Sequence, residues 1–181
     1  DSRRFLQNIC TNDVSNLRQP HDAMFTCWLT PKGRTVCETF VSLLDTIKVR
    51  TIDRQGASAY WHDALTAHND QGDGSGEEAF LLDLDPASLE SAVHHAVTHK
   101  LRSDIQLRDI TAVSRVVSFT PTPATATAHS PAPPAVEQRV DDAAQKLRQK
   151  LPPRSGVAYV DPRAAGMGVR AYLPTFLDGA L

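Results

Sequence analysis

The residues best suited to chemistry fall into two groups far apart in the chain. Toward one end, Asp161-Pro162-Arg163 sets a carboxylate and a guanidinium two positions apart across a proline. They can pair with each other or receive a ligand carboxylate, because a guanidinium matches a carboxylate with two parallel hydrogen bonds. Toward the other end, Asn12-Asp13 and Lys32-Gly33-Arg34 precede Glu38, which sits among apolar neighbours and is costly to bury unpaired. Arg34 or a ligand can satisfy Glu38, and so can an outward-facing position in water. His95 and His99, four residues apart, can share one face of a helix. No carboxylate stands at the zincin spacing beside them, so a solvated face is expected rather than a metal site. Cys10, Cys27 and Cys37 lack the close C-x-x-C spacing of zinc and redox sites and read as buried, reduced thiols. There is no Walker loop, G-x-S-x-G or H-E-x-x-H, and Gly166-Met167-Gly168 reads as a turn. No catalytic residue and no metal ligand is assigned.

These residues need elements to hold them. Phe5, Leu6 and Ile9 share a helical face over residues 2–10, and Asn12-Asp13 stops that helix because both side chains compete for backbone hydrogen bonds. Met24–Leu29 and Thr35–Leu43 read as strands joined at Pro31-Lys32-Gly33, where proline presets φ and glycine supplies a positive one. Pairing Thr30 with Arg34 places Cys27 opposite Cys37. A second hairpin is predicted over 46–61, a polar glycine-containing loop over 68–78 and a short strand over 79–84. Asp85-Pro86 opens a helix to about Lys100, as N-cap and first-turn proline, with Leu89, Val93 and Val97 inward. Residues 104–110 and 113–119 alternate like strands. Residues 120–135 are proline-rich and expected to be extended. Residues 136–151 form a helix with Val140, Ala143, Ala144 and Leu147 in one stripe, ended by Pro152-Pro153. Strands at 157–160 and 169–173 bracket Asp161 and Arg163.

The totals bound the function classes. The 181 residues are 41% hydrophobic and 22% charged, with net charge −2, which is ordinary globular composition. No apolar run approaches the ~20 residues of a membrane span. Three cysteines do not make a disulfide framework, and a reducing compartment fits them. Between Gln55 and His99 eight acids occur with no Lys or Arg, a region able to present charge to a partner protein. Nucleic-acid binding is disfavoured, because the basic residues do not interleave with aromatics.

Four blocks in order carry a resemblance: FLQNICTNDV at 5–14, LTPKGRTV at 29–36, FLLDLD with KLRSDIQL within 80–107, and DPRAAGMGVRAYLP at 161–174. Through them the chain resembles the YgfZ branch of the folate-binding family related to the glycine-cleavage T-protein, and within it the mitochondrial iron–sulfur cluster assembly factors. The resemblance implies an α+β fold with mixed or antiparallel sheets, flanking helices and a central channel. It implies a T-protein-like region over 1–119, a proline-rich insertion over 120–135, and a helix plus strands continuing the fold over 136–181. It further implies work in the mitochondrial matrix on [4Fe–4S] clusters, with A-type iron–sulfur carrier proteins as partners and tetrahydrofolate as a ligand. Asn12, Asp13, Lys32, Arg34, Glu38, Asp161 and Arg163 become candidates for the folate pocket, with Lys32 and Arg34 drawing the anionic glutamate tail. The T-protein carries an acid pair after its corresponding turn, where this chain has Cys37-Glu38, so aminomethyl transfer is the alternative reading. A non-catalytic protein-interaction domain is the third. The branch's K-G-C-x-x-G-Q-E segment, which supplies its cluster-related cysteine, does not occur in the sequence, and the chain is expected to be an N-terminal fragment.

Overall fold

The computed structural model describes residues 2–44, 78–100, 103–105, 107, 109–121, 133–151 and 156–174. They fall into two compact units, residues 2–44 with 78–107 in the first and 109–174 in the second. Helices and antiparallel sheets occur together, which is the α+β class.

The first unit opens with α1 (Ser2–Ile9), whose Phe5, Leu6 and Ile9 are buried as their spacing requires. β1 (Ala23–Leu29), β2 (Thr35–Leu43) and β3 (Phe80–Leu84) form an antiparallel sheet in that order. β1 alternates, with Met24, Thr26 and Trp28 turned inward. β2 is the central strand and is buried continuously from Thr39 to Leu43, as a strand covered on both faces must be. Asp85 accepts from the Ala87 amide at 2.8 Å, and with Pro86 it starts a 3₁₀ turn running into α2 (Leu89–Lys100). One core joins α1, the sheet and α2, and Ile105 closes it.

In the second unit, β4 (Ser114–Phe119), β6 (Val169–Pro174) and β5 (Val157–Val160) lie side by side in that order, all antiparallel. α3 (Pro133–Lys150) packs Val140, Ala144 and Leu147 against the sheet residues Ala158, Val160, Val169 and Ala171.

Several expectations are corrected. α2 is rotated: Ala92, His95 and Ala96 face the sheet, while Val93 and Val97 are 47% and 59% exposed. Ala143 is exposed on α3, whose inward stripe instead runs through Val140, Ala144, Leu147 and Leu151. That helix begins at Pro133, three residues inside the segment expected to be extended. The described positions of 104–110 are not strand. The expected hairpin over 46–61, the loop before Glu78, most of the proline-rich stretch and Pro152-Pro153 lie outside the described residues.

Candidate functional site

The Thr11-Asn12-Asp13 block is built into the outer edge of β1. The Thr11 amide donates to the Cys27 carbonyl at 2.9 Å, and the Cys27 amide donates back to the Thr11 hydroxyl at 3.2 Å. The Asn12 side-chain amide donates to the Phe25 carbonyl at 3.0 Å, and its backbone amide donates to the hydroxyl of buried Thr26 at 3.2 Å. A sheet edge leaves backbone groups unpaired, and this block satisfies those of Cys27 and the carbonyl of Phe25. Asp13 caps the following 3₁₀ turn (Val14–Asn16), accepting from the Ser15 amide at 2.8 Å. The Ser15 hydroxyl first, and then that amide, hold its carboxyl below the usual range. Both candidates therefore have structural partners.

Arg3, which sequence reasoning missed, completes this corner. It donates to the Val14 carbonyl, to the Leu17 carbonyl at 2.7 Å, and in a two-pronged pair to Glu78 at 2.7 and 2.8 Å. Its guanidinium also lies over the Phe80 ring, 5.3 Å from the centroid. No signal near Arg3 in the sequence points to these partners, which stand 11 to 77 positions away.

The hairpin tip carries Lys32 and Arg34 in the open. Thr30 and Gly33 close it, with Thr30 N to Arg34 O and Gly33 N to Thr30 O both at 2.8 Å. Beyond the tip the register shifts: Leu29 pairs with Thr35, but Trp28 pairs with Cys37. Val36 is the extra residue of a β-bulge. The bulge corrects the expected Cys27–Cys37 pairing, since Cys27 now faces Glu38 across the strands. It puts Cys37 on the core side with Trp28 and leaves Glu38 in solvent. No ion pair joins Glu38 to Arg34 among the described residues. Burial pushes the Cys37 thiol up to about 11. Burial likewise drives Cys10 to about 11, against opposing contributions from Trp28 and Thr26. Both are thiols rather than thiolates at neutral pH, the wrong form for nucleophilic attack or metal ligation.

In the second unit Asp161 and Arg163 hold each other. Arg163 Nε and Nη2 reach the two carboxylate oxygens at 2.9 and 2.7 Å, and the Arg163 amide adds a bond at 3.1 Å. Burial alone raises the Asp161 carboxyl, but these bonds and the charges of Arg163 and Arg170 outweigh it and hold the carboxyl below its usual range. The turn-stabilising pair is what forms. A depressed carboxylate stabilises fully above its ordinary value near 3.8, and the contribution is lost as pH falls through the lower folded value. Asp161→Asn should cost this unit about 1–2 kcal/mol at pH 7, limited by solvent screening of the more exposed Arg163. Urea denaturation should show that gap closing at pH 3. A gap of equal size at both pH values would rule the pair out as its source.

The candidates thus separate into Asn12, Asp13, Lys32, Arg34 and Glu38 on the first unit and Asp161 with Arg163 on the second. On the first unit, Lys32, Arg34 and Glu38 are exposed and clear of the edge bonds that engage Asn12.

The architecture defines an α+β protein in which three of the sequence-marked blocks form an edge cap, a hairpin tip and a turn clamp. The chain has weak homology to mitochondrial iron–sulfur cluster assembly factors. It is 26% identical over 122 residues to a Dictyostelium discoideum protein named iron-sulfur cluster assembly factor IBA57 homolog, mitochondrial, covering 66% of this chain and 28% of the relative. It is 22% identical over 179 residues to the Mycosarcoma maydis protein of the same name, covering 96% of this chain and 32% of the relative. The chain therefore spans about a third or less of these curated relatives. No protein-family model matches it.

Proposed function

We propose that this chain belongs to an accessory factor of mitochondrial iron–sulfur cluster assembly, acting in the maturation of [4Fe–4S] clusters with A-type carrier proteins. The observation carrying this reading is the alignment with an assembly factor over 96% of the chain. The thiol chemistry agrees with an accessory role in which these two cysteines do not ligate the cluster. Cys10 and Cys37 are held protonated by burial and are poor ligands for a cluster. The hairpin gives aminomethyl transfer little support, because its one exposed carboxylate, Glu38, has a core thiol beside it where an acid pair is wanted.

The test is complementation. The full-length protein, expressed in cells lacking their own assembly factor, should restore mitochondrial [4Fe–4S] enzymes and leave [2Fe–2S] enzymes unchanged. Imported, soluble protein that restores neither overturns the proposal.

The ligand part of the proposal is tetrahydrofolate, with Lys32 and Arg34 drawing its anionic tail to the hairpin tip. Arg34→Ala should weaken tetrahydrofolate binding to the full-length protein about 2- to 5-fold, the scale of a solvent-screened ion contact. The denaturation midpoint should not move, since the Arg34 side chain is exposed. Unchanged affinity in a titration followed by tryptophan fluorescence would remove the hairpin tip from the site.

A further inference from the structure

The face that α2 turns to the sheet holds one buried ionisable side chain among the described residues. Ala92 and Ala96 are small and let the helix approach closely, while His95 lies between them, only 7% exposed. Its ring stands 6.3 Å from the Trp28 ring and 3.9 Å from the His99 ring, centroid to centroid. His95 Nε2 is buried and has no hydrogen-bond partner among the described residues. His99 Nδ1 lies 2.8 Å from the His95 carbonyl oxygen, an acceptor only, so that nitrogen carries a proton and points at the base of its neighbour.

The geometry points to an acid-sensitive latch: protonation of His95 releases α2 from the β1–β2–β3 sheet. A neutral imidazole can be buried here at the cost of one unpaired acceptor. An imidazolium would place a charge between Trp28 and the two alanines with nothing to receive its proton. The groups facing it offer no relief. On its own helix they are His94 and His99, which disfavour a positive charge. From the sheet it is the Trp28 indole, which does not titrate, and the Cys37 and Cys10 thiols packed into the core around Trp28 are uncharged. No carboxylate among the described residues acts on the ring. Burial, with His99 and His94, accordingly holds His95 below its ordinary value of 6.5. The sign follows. The unfolded chain takes up the proton first as pH falls below 6.5, so the docked state is full above that value and is lost progressively below it.

The experiment is amide hydrogen exchange of the full-length protein at pH 7.5 and 5.5, corrected for intrinsic exchange, beside an NMR titration of the histidine rings. Protection of the Ala92–Ala96 amides should fall at the lower pH, by no more than the ~10-fold that one pH unit below the ordinary value permits, while β1 and β2 amides keep theirs. His95→Phe should abolish the difference, and the wild-type His95 ring should titrate below 6.5. Constant α2 protection overturns the latch, as does an equal loss in His95→Phe. A wild-type His95 titrating at or above its ordinary value overturns it without reference to any variant, including one that fails to fold.

Discussion

Trp28→Ala is expected to destabilise the first unit by about 3–5 kcal/mol, the scale of truncating a large aromatic in a packed core. Trp28 is 2% exposed and among the largest fully buried side chains described. It is tied on three sides: Cys37 lies opposite it on β2, Cys10 bridges to its backbone from the end of α1, and His95 of α2 packs on its ring. Truncation would leave a cavity where α1, the sheet and α2 meet, and the surrounding backbone is fixed by sheet pairing and cannot collapse into it. With total stabilities of 5–15 kcal/mol for ordinary domains, such a loss takes a large share. Trp28→Phe separates the causes. The indole Nε1 is buried, with the uncharged Cys10 thiol as a weak acceptor at most. Removing that donor forfeits little and most of the ring remains, so the phenylalanine variant should lose clearly less than the alanine one, about 1–2 kcal/mol. Urea denaturation of the full chain followed by far-ultraviolet circular dichroism reads both. An alanine variant within about 1 kcal/mol of wild type would mean that Trp28 does not organise this core.

The parts legible in the sequence were those fixed by neighbours in the chain. Phe5, Leu6 and Ile9 define their helix face by spacing alone, and Asp85-Pro86 starts its helix by capping chemistry acting over two residues. Asp161 and Arg163 are close enough in sequence for their pairing to be readable. What failed depended on partners elsewhere. A two-residue period cannot reveal an extra residue at Val36, yet that bulge decides that Cys37 enters the core and Glu38 does not. On α2, hydrophobicity favours the Val93–Val97 stripe, but Trp28 already fills the space beneath the helix and leaves room for Ala92 and Ala96. The bond that ties Asn12 to the sheet edge was not readable, because its acceptor, the Phe25 carbonyl, is 13 positions away. In each case tertiary packing overrode a local preference.

The second large effect falls in the other unit, at Gly168. Gly168→Ala should cost about 3 kcal/mol or more, from two causes that act together. Its φ of +112° is a conformation that residues with a Cβ rarely adopt, and an added Cβ would stand 2.0 Å from the Phe119 carbonyl oxygen and 3.0 Å from the Thr120 Cα. Those neighbours are backbone, so no side chain can rotate away. Two connections compete for the strain. Val169 pairs with Phe119 at the start of β6, and the Gly168 carbonyl accepts from the Asp161 amide at 2.9 Å. Relieving the clash must part β6 from β4 or open the turn that carries the Asp161–Arg163 clamp. Gly33→Ala is the control that separates dihedral strain from close approach. Gly33 has φ of +76°, but nothing lies within 4 Å of an added Cβ, so the expected cost is about 1–2 kcal/mol. If the two alanine variants lose equal stability in urea, dihedral strain alone accounts for both and the close approach of Gly168 to β4 contributes nothing. If Gly168→Ala loses clearly more, and loses the pH-dependent gap of Asp161 with it, the glycine is what lets the turn seat its clamp against the sheet.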